Sequence, residues 1–136
     1  MVARELVAMK KPEEAERLFA RVLAERPLPQ TRVLIGRAWR DAGDYDRARA
    51  ALQAALAQDA RVRRAHYYLG MVALADPRTG SHRLEQAIAE FREELKLAPD
   101  DAPANDQLGV ALLDAERPAE ALPALEAAAR AEPRPL

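Results

Sequence analysis

Two histidines and one serine are the first side chains to weigh for chemistry, and two of the three are neighbours, Ser81 and His82. A serine nucleophile needs an imidazole within hydrogen-bond reach, and adjacent residues on a helix project in different directions, so this couple does not form a nucleophile–base pair. His66 stands alone, four residues before Gly70, where a packing or half-exposed place suits it better than a catalytic one. Asp76 and His82 could share a metal ion, but two ligands in one short loop fall short of the ligand set of a protein metal site. Glu93 and Glu94 are paired carboxylates whose default place is a solvated helix face. Zero cysteines exclude disulfides, thiolate metal sites and a cysteine nucleophile. The residues therefore point away from catalysis, and no cofactor or metal is expected.

The elements that carry these residues are helical. Of 136 residues, 49% are hydrophobic but only 4% are aromatic, so the core must be built from Ala, Leu and Val. Such a core suits closely packed helices better than strands, which favour β-branched and aromatic side chains. A formal net charge of -1 argues against a general nucleic-acid or membrane-surface binder, since both need a basic excess. There is no apolar run long enough for a membrane span or a signal peptide. That pattern suits a cytoplasmic chain, or a periplasmic one from which a signal peptide has been removed. The abundance of alanine and arginine fits a GC-rich bacterial genome.

A period runs through the chain. Leu108-Gly109, Leu112, Ala121, Leu125, Ala128 and Pro133 mark its last module. Upstream, Ile35-Gly36, Trp39, Ala48, Leu52 and Ala60 mark a second unit, and Leu69-Gly70, Ala73, Ala87, Phe91 and Pro99 a third. Ala15, Phe19 and Pro27 close a first unit that opens on Val2, Ala3 and Leu6. Gly36 to Gly70 and Ala87 to Ala121 are both separations of 34 residues. This spacing resembles the tetratricopeptide repeat, with its L-G-x2-Y, A-x3-F and P landmarks. The resemblance covers essentially the whole chain. It implies an all-α fold, a right-handed superhelical solenoid of antiparallel helix pairs (A and B), in one array: residues 1–28 a truncated repeat, then 29–62, 63–101 and 102–135. Helices are predicted at about 1–10, 12–26, 30–42, 45–58, 62–75, 82–97, 102–115 and 118–131. Gly36, Gly70 and Gly109 fall inside A helices, where glycine costs about 1 kcal/mol against alanine. Close approach of helix B at Ala48, Ala87 and Ala121 explains that loss. Pro12 and Pro118 open B helices, and Asp44 and Ser81 are the expected caps of the other two.

Four features depart from the family pattern. The opening helix lacks its first turn. Ala60 replaces a proline, so the second B helix is expected to run more smoothly into the third repeat. Pro123 lies inside the last B helix and should bend it. The third repeat carries five extra residues, since Gly70 to Ala87 is 17 residues against 12 for Gly36 to Ala48, with the excess in Asp76–His82. The last helix has Leu122 and Leu125 near one side with no helix after it to cover them, which points either to a longer array or to packing on another copy.

The resemblance also implies a concave groove lined by the A helices. Carried over residue by residue, its wall holds Arg4, Val33, Arg37, Arg40, Asp41 and Arg64 toward the N-terminal half. Tyr67, Met71 and Leu74 lie centrally, and Asp106, Val110 and Asp114 toward the end. A bland alternative is that Arg37 and Asp41, four apart on one helix, are a surface ion pair worth a few tenths of a kcal/mol. The family's clamp for a chaperone-tail carboxylate maps onto Val33, Arg37, Tyr68, Pro103 and Gln107. Only Arg37 keeps suitable chemistry there, so that ligand is not expected. The leading expectation is a non-catalytic scaffold that grips a protein or peptide partner, with no nucleic acid and no membrane. The alternatives are a homo-oligomer built through Leu122 and Leu125, and a regulatory appendage of an enzyme.

Overall fold

The computed structural model describes residues 11–131, and every regular element among them is helical. In order these are α1 (Pro12–Glu25), α2 (Pro29–Asp41), α3 (Tyr45–Gln58), α4 (Ala65–Ala75), α5 (Arg83–Leu97), α6 (Ala102–Asp114) and α7 (Pro118–Ala131). A 3-10 segment, Pro77–His82, lies between α4 and α5. The helix expected over 1–10, with Arg4, and the closing Pro133 lie outside the described residues. The chain divides into two compact units, residues 1–68 and 69–136, each taken by itself below.

In the first unit α2 packs on α3, and α1 packs on α2. Gly36 sits at the crossing of α2 and α3. A Cβ there would stand 2.6 Å from Leu52 Cγ and 3.3 Å from the Ala48 carbonyl oxygen, so only glycine leaves the fully buried Leu52 its place. Trp39 is buried beside Phe19 of α1, edge to face with centroids 5.2 Å apart. The Arg47 guanidinium covers the indole at 5.2 Å. Arg47 also grips Glu16 of α1 through Nε and Nη2, both at 3.2 Å, and Asp44 through Nη1 at 2.7 Å. One side chain thus ties α1, α2 and α3 together. The hydrogen bonds to Glu16 and then Asp44 raise its already high pKa, so it stays charged.

The second unit repeats the crossing. A Cβ on Gly70 of α4 would lie 2.5 Å from the buried Phe91 ring on α5, and one on Gly109 of α6 would lie 2.5 Å from Leu125 on α7. The alanines contribute differently from expectation. Ala48 and Ala121 meet the glycine position through their carbonyl oxygens, at 3.3 and 3.5 Å, while the large side chain one turn later covers it.

The caps and turns follow local chemistry, with several corrections. Asp44 accepts from Arg47 N at 3.1 Å, as expected of an N-cap, and Asp101 accepts from Ala104 N at 3.0 Å. Ser81 does not cap α5. It lies in the 3-10 segment, which opens on Asp76 and bends at Gly80 (φ 65°, ψ −139°) before leading directly into α5. Ala60 does not smooth the path into the third repeat. α3 stops at Gln58 with Asp59 extended, and α4 starts only at Ala65. The reason is the residue set at the start of α4. Where α6 has Asp101 and Pro103, the matching stretch is Val62-Arg63-Arg64, with no capping oxygen and two cations at the positive end of a helix dipole. Arg64 adopts φ 78° instead of continuing the turn. Glu94 is fully buried, not solvated, because it continues the inward stripe Ala87, Ile88, Phe91 at helical spacing. Glu93 is exposed and pairs with Lys96 at 2.7 Å. Pro123 is carried within α7, and it and Ala119 are both exposed, so water can serve the carbonyl left without a donor.

The A–B turns of the second and fourth repeats share one left-handed position, held by Gly43 (φ 81°) in one and by Glu116 (φ 60°) in the other. Glycine adopts it freely, whereas a side chain there is strained by about 1 kcal/mol or more. Glu116→Gly should therefore raise stability by up to about 1 kcal/mol, and Gly43→Ala should lower it by about as much. Denaturant titration of both variants checks the opposite signs. Gly70→Ala should lose about 1–3 kcal/mol against the Phe91 ring despite its better helix propensity, and a variant that melts with the parent would show that the ring moves aside freely.

Candidate functional site

Helix α2 directs one stripe outward: Gln30, Leu34, Arg37 and Asp41, spaced i, i+4, i+7, i+11, lie on its outer side. Its opposite face buries Thr31, Val33, Gly36 and Trp39. Val33, assigned to the groove by the family pattern, is 1% exposed and belongs to the core. Leu34, which that pattern passes over, is 61% exposed. The signal for Leu34 is its helical spacing from Gln30, Arg37 and Asp41.

Around this stripe the first unit assembles a ladder of charges and rings. Arg40 donates from Nε and Nη2 to Asp41 Oδ1, at 3.1 and 2.6 Å. Arg37 Nε lies 4.0 Å from Asp41 Oδ2, and its side chain is 52% exposed. Arg40 stands 5.3 Å over the Tyr68 ring, Tyr68 meets Tyr67 edge to face at 5.3 Å, and Arg64 covers Tyr67 at 5.2 Å. Each cation–ring contact holds a flexible guanidinium in one orientation. The expected residues Arg37, Arg40, Arg64 and Tyr67 are thus brought together, and Tyr68 joins them. Asp41 sits between the two α2 arginines.

In the second unit Asp106, Val110, Leu113 and Asp114 are exposed on one side of α6, which gives an apolar strip flanked by carboxylates. Met71 and Leu74 on α4 are half-buried. On α7, Leu122 is 58% exposed, whereas Leu125 is half-buried over Gly109 and belongs to the helix crossing. Residues 1–68 hold fourteen Lys and Arg against nine Asp and Glu, and residues 69–136 hold seven against thirteen. The near-zero net charge of the chain hides a basic first unit and an acidic second one.

Asp76 is buried, and Arg78 holds it through the backbone N and Nε to Oδ1 (3.0 and 3.1 Å) and Nη2 to Oδ2 (3.0 Å). His82 is exposed and His66 half-buried. Among the described residues no three Asp, Glu or His side chains stand close enough to hold a metal ion, and no helix is long and apolar enough to cross a membrane.

Solved structures share the fold. The crystal structure of MamA superposes with a TM-score of 0.70 at 19% identity, over 96% of this chain and 69% of that one. A thermophilic tetratricopeptide-repeat protein of Thermus thermophilus gives 0.72 at 23% identity, over 96% and 71%. A point mutant of MamA gives 0.63 at 20% identity, over 97% and 93%. At these identities the likeness is one of fold. No curated protein matches by sequence. The family model of the tetratricopeptide repeat matches residues 33–102, just over half of the chain and the stretch that holds Gly36, Gly70 and two of the large side chains that cover such glycines. With the glycine crossings and helix pairs of the structure, that match makes the chain a member of the tetratricopeptide-repeat family.

Proposed function

We propose that the chain is a non-catalytic interaction module that holds a segment of a partner protein against the outward stripe of α2 and the tyrosines that adjoin it. The family is commonly one of protein–protein interaction modules, which supports the class. The observation that carries the site is the Arg37–Asp41–Arg40–Tyr68–Tyr67–Arg64 ladder beside the exposed Leu34. Arginine and tyrosine are the side chains that most often anchor protein interfaces, because each covers much area and keeps polar groups for its partner. The ring contacts of Arg40 and Arg64 preset those two guanidiniums and so lower the ordering cost of binding. With a partner obtained by pull-down, Tyr67→Ala should weaken binding by about 1–3 kcal/mol. Arg37→Glu and Arg40→Glu should mainly slow association and change its salt dependence. Parental binding by all three variants would remove the site from this surface.

A second reading is self-association through α7. It is favoured by Leu122, a large apolar side chain more than half exposed on a helix whose inward positions are already filled by Ala121, Ala124 and Ala128. Sedimentation should then show a concentration-dependent dimer that Leu122→Glu abolishes, and a parent chain monomeric at high concentration would end this reading.

A further inference from the structure

We infer that the α2 surface takes an acidic partner segment, and that Asp41 is a built-in competitor for the arginines that such a segment must reach. This rests on the interaction surface proposed above and names both the chemistry of its ligand and a residue that sets its strength. Asp41 does not serve the turn that follows it. Ala42 N donates to Ala38 O, Gly43 N to Arg40 O and Asp44 N to Trp39 O, so each of these turn donors already has a main-chain acceptor. Nor does Asp41 suit its position. It is the last residue of α2, at the negative end of the helix dipole, where a carboxylate is disfavoured. What holds it is Arg40 at 2.6 Å and Arg37 at 4.0 Å.

The carboxylate therefore occupies the place that a ligand carboxylate would take between the same two cations. The matching position on α6 is Asp114, and there the neighbours that match Arg37 and Arg40 are Val110 and Leu113. An acid at the end of the A helix recurs, but only α2 of these two gives it cations to neutralise. An incoming Glu or Asp side chain gains the Arg37–Arg40 pair and displaces Asp41 into water, a near-balanced exchange. Acidic segments are then bound only where they supply several carboxylates or an apolar contact with Leu34. The basic excess of residues 1–68 favours such a segment over a basic one.

The test is fluorescence anisotropy of the full chain with a fluorescein-labelled oligoglutamate peptide, with an oligolysine peptide and a single-stranded oligothymidylate beside it. Asp41→Asn should tighten oligoglutamate binding by about threefold to fivefold, the range opened by losing one ion pair at the surface, here with the Arg40 and Asp41 side chains 22% and 20% exposed. Asp46→Asn, which removes a charge that pairs with Arg49 on α3, should change it much less. Arg37→Gln and Arg40→Gln should weaken it in both the parent and the Asp41→Asn background. If Asp41→Asn equals Asp46→Asn, or binds more weakly than the parent, Asp41 is a bystander or a positioning residue and the inference is overturned, while sensitivity to Arg37 and Arg40 leaves the interaction surface standing. Oligoglutamate binding that ignores both arginines overturns the surface and the inference together. Tighter binding of oligolysine than of oligoglutamate overturns the acidic ligand. Tighter, arginine-dependent binding of the oligothymidylate overturns the acidic-peptide ligand in favour of nucleic acid. A circular-dichroism melt matched to the parent confirms that each variant is folded.

Discussion

The packing depends on a space that only hydrogen can fill. At Gly36, Gly70 and Gly109 the side chain of the opposing helix lies where a Cβ would be, within 2.5–2.6 Å. Because Leu52, Phe91 and Leu125 each rest on backbone, the two helices of a pair approach more closely than side-chain layers would allow. The surrounding alanines then complete a core in which Trp39 and Phe91 are the buried aromatic side chains among the described residues. This is why a chain with 4% aromatic residues can still bury its helices. The glycine lowers helix propensity, and the contact that it permits outweighs the loss.

Close pairing also decides which residues face outward. Once α2 is fixed on α3 through Gly36 and on α1 through the Trp39–Arg47–Glu16 contacts, its remaining stripe has no packing left to do. Gln30, Leu34, Arg37 and Asp41 face outward by default: Gln30 donates to the Arg63 carbonyl, Asp41 is held by the arginines, and Leu34 and the Arg37 side chain are left more than half exposed. On α6 the same register exposes Val110 and Asp114, with Leu113, the match of Arg40, exposed beside them, so one architecture presents a basic surface in one place and an apolar, acidic one in another.

Much of this is legible in the sequence because the packing is periodic. The 34-residue spacing locates the helix pairs, and Pro12, Asp44 and Pro118 place three helix starts. Sequence and structure part where one residue's chemistry competes with its position. The charge of Glu94 argues for solvent, yet the residue follows Ala87, Ile88 and Phe91 on the inward stripe. The family pattern assigns Val33 outward, whereas the stripe set by Gly36 and Trp39 turns it inward and Leu34 outward. The unwound start of α4 follows from the uncapped, doubly cationic Val62-Arg63-Arg64 stretch, which periodicity does not register. The ladder on α2 is visible in the sequence only as separate arginines and tyrosines, since its order depends on which ring each guanidinium covers.

The five added residues of the third repeat have a use beyond this molecule. They are absorbed between the two helices of one pair as a short 3-10 segment with a bend at Gly80, and the Gly70–Phe91 crossing beside them is as tight as its counterparts. Lengthening a surface connection costs only a slowly rising loop entropy, so the crossing does not feel it. Gly80 and Ser81, both exposed, are therefore a natural port for grafting, beside Thr79 whose hydroxyl oxygen is buried. A tag, an epitope or a sensor loop could be spliced there, and the helix pairs would keep their register.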